Sequence, residues 1–329
     1  MGLPRPGPGP LHPKAKFRRL PQRWRVRRWL GFSSFDGLLL LMVLIWGANY
    51  SVVKSAISAM PPQAFNVMRM GVASAVFAGA LLARGLPRVA RADWVRLALL
   101  GTVGHFVYQV CFMAGLARTT ASNSALIIGC SPVAVSIASA LAGHERVPRA
   151  QWAGVLLSVL GVYLVVGTSA EFGGSSLAGD LLTLGAVCCW AVYTVGSRPL
   201  LARYSPLAVT GITMIAGTAM YVPASASQLA QVDVGRVPAW AWTSMMLSAV
   251  LALNVAYLIW YTSVLRIGNV RTSAYSNFIP LVALSVAALA LGESIAPSKL
   301  AGAAAILTGV VITRIAARTH TAPEPPAEE

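Results

Sequence analysis

The feature that most constrains this chain is a pattern that occurs twice in it. Four positions recur at an offset of 144 residues, the third matched only in charge: Asp36/Asp180, Trp46/Trp190, Lys54/Arg198 and Pro62/Pro206. Five more recur at an offset of 148 residues: Arg118/Arg266, Pro132/Pro280, Glu145/Glu293, Gly154/Gly302 and Gly161/Gly309. A nearly constant offset over hydrophobic sequence indicates a duplicated membrane unit. Proline-interrupted segments at matching places in two halves are typical of secondary transporters.

The composition places the chain in a bilayer. It is 56% hydrophobic and 11% charged, whereas about a quarter of the residues in a soluble domain are charged. A membrane-spanning helix needs roughly 20 apolar residues. Ten runs of that length lie between charged or turn-forming clusters, at residues 37–57, 63–83, 97–117, 121–142, 151–169, 178–197, 206–226, 240–264, 272–291 and 298–316. The sequence therefore predicts an all-α polytopic membrane protein with ten transmembrane helices.

The distribution of positive charge gives an orientation. With a cytoplasmic N-terminus, 21 of the 26 Lys and Arg residues lie on inward segments and 3 on outward ones, and Lys54 and Arg69 lie within spans. This asymmetry follows the positive-inside rule with both termini in the cytoplasm. Because each half has five spans, the second half is expected to be inverted relative to the first.

Four segments are expected along the chain. Residues 1–35 form a basic tail, with six Arg in Phe17–Arg28, which is predicted to be disordered and to act as an orientation signal near anionic lipid. Residues 36–170 and 178–317 are the two repeats, and 318–329 form a short tail. A basic run also occurs in nucleic-acid-binding proteins, but no binding fold accompanies it, so no nucleic-acid partner is expected.

Enzyme chemistry has little support in the sequence. The spacing of metal-binding motifs such as HExxH or CxxC is absent, and so is the GxxxxGK phosphate loop. All four cysteines fall within predicted spans, where they are expected to be buried as small apolar residues. We therefore expect neither a cofactor nor a metal, and no ATP hydrolysis.

Two matched prolines are the first candidates for a solute-binding region. Pro132 lies near the middle of span 4 and Pro280 within span 9, and they follow Ser131 and Asn277. Each proline removes a helix hydrogen bond and frees a carbonyl, which in hydrocarbon needs a partner or a wet cavity. The two prolines either line a cavity or simply shape helix packing.

Two basic residues inside spans have two interpretations. Lys54 lies near the outer end of span 1, and Arg69 lies about 9 Å into span 2 from the same surface. Both side chains could extend to the outer surface, as long basic side chains often do. Alternatively, they form a cationic site near the outer mouth of a cavity, with Arg198 as the repeat mate of Lys54 at the cytoplasmic end.

Histidine and aromatic residues complete the candidates. His105 in span 3 carries an imidazole, which titrates near neutral pH, so it is either a proton-coupling group or a hydrogen-bonded structural residue. Rings with polar handles and nearby amides suit a pocket for a small amphipathic solute. These residues are Trp46, Asn49, Tyr108, Trp190, Tyr193, Asn254, Tyr257 and Tyr261, of which the repeat pairs Trp46 with Trp190.

The glycines and acidic residues are assigned structural roles. Gly154, Gly161, Gly302 and Gly309 allow spans 5 and 10 to pair closely, either across the twofold axis or between subunits of a homodimer. Glu145 and Glu293 lie at span ends, where a carboxylate accepts backbone or Arg hydrogen bonds. Acidic residues deep in the spans are scarce, which favours facilitated export, or coupling through the solute or His105.

A set of short motifs then resembles a known family. The motifs are Trp46-Gly47-Ala48-Asn49, Lys54, Pro61-Pro62, Arg69, Pro132, Glu145-Arg146, Gly179-Asp180, Trp190-Ala191-Val192-Tyr193, Pro280 and Gly292-Glu293. In this order and spacing they resemble the EamA-type drug/metabolite transporters, over nearly all of residues 36–315. The resemblance implies two inverted EamA repeats around a central cavity and export of small metabolites, often amino acids. One departure is His144, inserted between Gly143 and Glu145.

The sequence thus predicts a transporter of a bacterial plasma membrane that exports small organic solutes by alternating access. Amino acids and related amphipathic metabolites are the leading solute class. An organic-anion or sugar-phosphate carrier is the alternative if Lys54 and Arg69 face the cavity. A membrane scaffold or sensor is a further alternative of another class, but the short connections offer it little partner surface. The expected partners are a small-molecule solute and the lipid bilayer.

Overall fold

The computed structural model describes residues 34–142, 149–167, 177–267 and 275–321, and these residues form helices and connections without a β-strand. The basic tail and the Gly143–Arg146 motif lie outside the described residues. We number the helices α1 (Ser34–Ala56), α2 (Pro62–Arg84), α3 (Arg91–Arg118), α4 (Ala121–Leu141), α5 (Arg149–Gly167), α6 (Leu177–Leu201), α7 (Pro206–Leu229), α8 (Ala239–Leu247, Ser248–Val255 and Ala256–Ile267), α9 (Ile279–Leu291) and α10 (Pro297–Thr321).

Seven helices within the described residues are long and apolar enough to cross a membrane, namely α1, α2, α3, α4, α6, α7 and α8. The other three contain shorter apolar stretches, at Trp152–Val165, Ile279–Leu291 and Pro297–Ile312. The prediction of an all-helical polytopic membrane protein is confirmed. The crossing of a bilayer by α5, α9 and α10, which would bring the number of spans to ten, stays a prediction.

Helix packing has the same pattern in both halves. Helices five apart in number pack on each other, as α2 does on α7, α4 on α9 and α5 on α10. Other major contacts also join the two halves: α1 packs on α8 and α9 of the second half, and α6 packs on α3 and α4 of the first half. A pseudo-twofold relation between α1–α5 and α6–α10 produces this pattern, and it places α1 and α6 against the opposite half.

The closest approach between α5 and α10 occurs at glycines. A Cβ atom at Gly161 would lie 2.7 Å from the Gly302 carbonyl oxygen, and one at Gly302 would lie 2.9 Å from the Gly161 carbonyl oxygen. The Ser158 hydroxyl donates to the Ile306 carbonyl at 3.4 Å across the same contact. The predicted pairing of these two helices is therefore present within one chain. A homodimer stays a prediction.

Both α3 and α8 contain a π-helical segment, at Thr102–Val107 and Ser248–Val255. Glycines beside the first segment let α3 approach its neighbours closely. A Cβ atom at Gly101 would lie 2.7 Å from the Thr213 carbonyl oxygen of α7, and the Tyr193 ring of α6 covers Gly104. Wide turns of this kind are frequent at functional sites, and both lie beside the cavity described below.

The predicted proline interruptions are present in α4 and at the start of α9. The α4 helix is broken at Cys130, and Pro132 stands in the first turn of its second part. Pro132 has no N–H to donate to the Ile128 carbonyl, which accepts from the Ser131 hydroxyl at 2.5 Å and from the backbone N–H at the Cys130 cap. Pro280 stands in the first turn of α9 and packs against Gly129, where a Cβ atom would lie 2.8 Å from its ring. The two interruptions therefore meet where α4 crosses α9.

Candidate solute-binding cavity

A cavity of about 600 Å³ lies between the two halves. This volume is within the range of roughly 300–1,000 Å³ that is typical of small-molecule sites. Its wall combines residues of both repeats, and most of them are aromatic, small or apolar. The matched prolines Pro132 and Pro280 are both in the wall. A cavity at the repeat interface is the position at which many transporters bind their solutes.

The cavity is open at one end and closed at the other. Its wall reaches Arg198 and Ala202, at the end of α6, where both side chains are exposed. Toward the opposite end, buried side chains pack together and fill the space between the helices, namely Val53, Ala56, Met60, Phe65, Met113, Leu116, Ala121, Ala241, Met245, Ala283 and Ala287. We call the two ends the open end and the sealed end. Among the described residues, the cavity therefore opens on the side of Arg198.

Seven rings form a continuous series along the cavity wall, which we call the aromatic arc: Trp260, Trp46, Tyr257, Trp190, Tyr108, Phe112 and Tyr50. Trp46 and Trp190, which the repeat pairs, both meet Tyr257 edge to face, with centroids 5.7 and 6.0 Å away. The Trp46 indole donates to the Ala252 carbonyl in the π-helical segment of α8 at 3.0 Å. The arc offers broad apolar faces to a solute.

Arg69 is the one Lys or Arg among the described residues that is fully buried, with 1% of its surface exposed, and it is part of the cavity wall. Nη2 donates to Asn66 at 2.6 Å and to Gln109 at 3.0 Å, Nη1 donates to the Ser248 hydroxyl at 3.0 Å, and Nε donates to Asn66 at 3.1 Å. Ser248 donates in turn to Asn49 at 2.6 Å. Side chains from four helices therefore fix the guanidinium in place.

Lys54 has a different environment, at the sealed end. Its ammonium donates to the carbonyl oxygens of Leu116 and Thr119 at 2.7 Å and of Ala117 at 3.3 Å. These carbonyls end α3 and have no helical partner of their own, so a cation is favourable there. The Thr119 hydroxyl then donates to Asp180 at the start of α6, at 2.5 Å. Lys54 thus connects α1 to the turn between α3 and α4.

The same turn is held by Glu293, which follows α9. One carboxylate oxygen accepts from the Ala121 N–H at 2.7 Å, and the other accepts from the Ser122 N–H at 3.1 Å and the Ser122 hydroxyl at 2.5 Å. A carboxylate at a helix N-terminus satisfies orphan N–H groups and interacts favourably with the helix dipole. The predicted structural role of Glu293 is confirmed, and the sealed end is closed by polar bonds as well as apolar packing.

The structure brings eight of the twelve predicted site residues to the cavity wall: Trp46, Asn49, Arg69, Tyr108, Pro132, Trp190, Tyr257 and Pro280. Lys54, His105, Tyr193 and Asn277 lie outside the described wall. The expectation that Arg69 extends to the outer surface is wrong, because its side chain is buried under polar partners. Lys54 does not line the cavity either, because its ammonium donates to the carbonyl oxygens at the end of α3. That the predicted residues in the cavity wall bind a solute stays a prediction.

His105 lies outside the cavity wall. Its ring is fully buried, and neither ring nitrogen has a hydrogen-bond partner among the described residues; both interpretations of His105 stay predictions. The imidazole instead packs edge to face on Tyr193, with centroids 5.0 Å apart, and lies 6.1 Å from the Tyr257 ring. His105 therefore supports the aromatic arc from behind.

Several residues of the site were not predicted from the sequence. Gln109, Ser248 and Asn66 bind Arg69, and Tyr50, Phe112 and Trp260 extend the aromatic arc in the wall. The spacing of Asn66 and Arg69, three residues apart on one helix face, was an available signal. The others stand alone in apolar sequence, so only the fold brings them together.

A polytopic helical protein with a solute-sized cavity between two like halves is a membrane transporter by its architecture. The family comparison agrees: residues 34–167 and 177–315 each match the model of the EamA-like transporter family. The chain belongs to this family. Family membership indicates a transporter rather than an enzyme.

Individual relatives agree with this class over most of their length. The chain is 27% identical to an uncharacterized transporter, YyaM, of Bacillus subtilis, covering 86% of this chain and 90% of that protein. It is 29% identical to a protein of Streptantibioticus cattleyicolor named "Probable terminal-alkyne amino-acid exporter", covering 83% of this chain and 91% of that one. A crystal structure 22% identical in sequence matches with a TM-score of 0.63 over 89% of this chain and all of that chain, which supports the fold.

Proposed function

We propose that this protein is a secondary transporter of a bacterial cell membrane that exports small amphipathic metabolites, such as amino acids, by alternating access. The observation that carries the proposal is the cavity of about 600 Å³ between the two halves, which in the described part of the chain opens at the end of Arg198. In such a state the solute is loaded from one side, and rocking of the halves then exposes it to the other side. The exporter named among the relatives supports the amino-acid class.

The charge distribution predicts on which side of the membrane the cavity opens. If both termini are cytoplasmic, as the positive-inside rule predicts, the connection between α6 and α7 lies on the cytoplasmic side. Arg198 in the last turn of α6 and Arg203 in this connection lie on that side, and Arg198 is at the open end of the cavity. The conformation then faces the cytoplasm, where metabolites for export are available.

An organic-anion carrier is the second candidate, because Arg69 and Arg198 are both in the cavity wall. Lys54, which the sequence offered as a third cation, is used at the sealed end. A single buried cation suits a solute with one anionic group better than a sugar phosphate.

The test compares metabolites released by cells that express three forms of the chain at equal membrane abundance. Ser136→Trp would fill the cavity, because Ser136 is in its wall. Ser285→Trp is the matched control: it changes an exposed serine that, like Ser136, donates to the carbonyl four residues earlier. Mass spectrometry of the medium should show one solute class enriched by the native chain and by Ser285→Trp, but not by Ser136→Trp. Equal release by all three forms would contradict export.

A further inference from the structure

Arg69 lacks the counter-charge that a buried guanidinium normally needs. No carboxylate among the described residues lies within ion-pair distance of it, and its hydrogen-bond partners Asn66, Gln109 and Ser248 are all neutral. An unpaired buried charge is strongly unfavourable, and within a membrane span it is a functional candidate by default. Neutral acceptors orient the group but leave its charge uncompensated.

The residue that carries this charge is part of the cavity wall. Of the five N–H bonds of the guanidinium, four are accounted for by the three neutral partners, so one Nη1 hydrogen is left without a partner among the described residues. Asn49 is in the wall beside it, and its oxygen already accepts from Ser248, which leaves its amide hydrogens as donors. The hydroxyls of Tyr50 and Tyr108 are also in this wall. Hydrogen-bond donors and one positive charge therefore surround the same part of the cavity.

We propose that Arg69 binds the carboxylate of the transported solute, with Asn49 as a second donor, while the aromatic arc holds the apolar part. The inference rests on the proposed function, because it assigns the group that recognises the solute in that transport. A carboxylate supplies the missing negative charge and forms a charge-assisted hydrogen bond, which is stronger than a neutral one. The solute then acts as the counter-ion that the protein itself lacks.

The rest of the wall limits the solute class further. Asp and Glu are absent from the described wall, so an ammonium group on the solute would meet aromatic faces and neutral oxygens but no carboxylate. Trp46, Trp190 and Tyr257 offer such faces, and the ring quadrupole attracts a cation. The site therefore takes monocarboxylates with an apolar body, whether or not they carry an amino group.

The experiment measures binding of four probes to the purified full-length chain by isothermal titration calorimetry. The probes share a phenyl ring: L-phenylalanine, L-phenylalaninamide, 3-phenylpropanoate and 2-phenylethylamine. We expect both carboxylates to bind at least about 10-fold more tightly than the amide and the amine. In Arg69→Gln the affinities for the four probes should become about equal. In Arg69→Lys the preference for the carboxylates should be smaller than in the native chain but still present. Arg236→Gln, which changes an exposed cation outside the cavity wall, should leave the ratio unchanged.

Because the ratio is measured within each protein, a variant with a lower folded fraction still reports it. If the native chain binds the amide and amine as tightly as the carboxylates, or binds none of the probes, the assignment of Arg69 is overturned. The same holds if Arg69→Gln keeps the native ratio. In each of these cases, an export activity that Ser136→Trp abolishes would still support transport. The proposed function and the assignment of Arg69 can therefore fail separately.

Discussion

The Lys54 ammonium lies 2.7 Å from the carbonyl oxygen of Thr119, the first residue after α3, and also bonds the last carbonyls of that helix. We expect Lys54→Met to keep the apolar stem but remove these bonds, destabilising the fold by about 2 kcal/mol, since hydrogen bonds to charged groups are worth about 1.5–3 kcal/mol. Thermal unfolding in detergent micelles measures the change. Lys299→Met is the control, because its ammonium has only a 3.5 Å contact to Thr120. Equal losses in both variants would show that Lys54 has no special role.

Glu293 closes the sealed end from the other side, through three hydrogen bonds to Ala121 and Ser122. Glu293→Gln replaces one acceptor by a donor and removes the charge at the α4 N-terminus, so we expect a loss of about 1 kcal/mol. The matched control is Asp233→Asn, which removes an exposed carboxylate that pairs with Arg236. Exposed pairs contribute little, so its melting midpoint should stay close to that of the native chain. A larger shift for Asp233→Asn than for Glu293→Gln would rule out the capping role.

The Ser131 hydroxyl and Pro132 form a pair that a double-mutant cycle can separate. Ser131→Ala leaves the Ile128 carbonyl without its donor at 2.5 Å, and we expect a loss of about 1–3 kcal/mol. Pro132→Ala restores a backbone N–H that can bond this carbonyl, so the double variant should be more stable than Ser131→Ala alone. Melting midpoints of the four forms measure the coupling. Strictly additive effects would mean that Ser131 does not replace the missing backbone bond.

His105 is predicted not to carry a coupling proton. Its ring is fully buried between Tyr193 and Tyr257, outside the described cavity wall and without a hydrogen-bond partner in the described part of the chain. His105→Gln, which does not titrate, should therefore leave the pH profile of export unchanged over the range in which a free imidazole titrates. Release of the identified solute from cells in buffered media measures this. A profile that flattens in His105→Gln would restore the coupling hypothesis.

The sequence was sufficient for the architecture because the repeat and the hydropathy act over long segments. It predicted the helical membrane class, the pairing of α5 with α10 and the matched interruptions at Pro132 and Pro280. It also selected Trp46 and Trp190, because the offset of 144 residues pairs them. These features depend on local composition and on the duplication, both of which are readable along the chain.

The cavity chemistry depends on contacts between distant spans and was only partly predictable. Lys54 and Arg69 both look like buried cations in sequence, but one meets the end of α3 and the other meets amides of α2 and α3. Ser248 joins the Arg69 network from 179 residues away. The π-helical segments have no residue signature, so the wide turns in α3 and α8 could not be read from the sequence.

Those wide turns also have an evolutionary consequence. Thr102–Val107 moved by the offset of 148 residues falls on 250–255, within the second segment, Ser248–Val255. A feature at matching positions of both copies is expected if the unit that was duplicated already contained it. Residues of both copies line the cavity, so neither copy alone forms the complete wall. The copies nevertheless differ at the site itself, because only the first carries an arginine and the second has Thr213, 144 residues after Arg69.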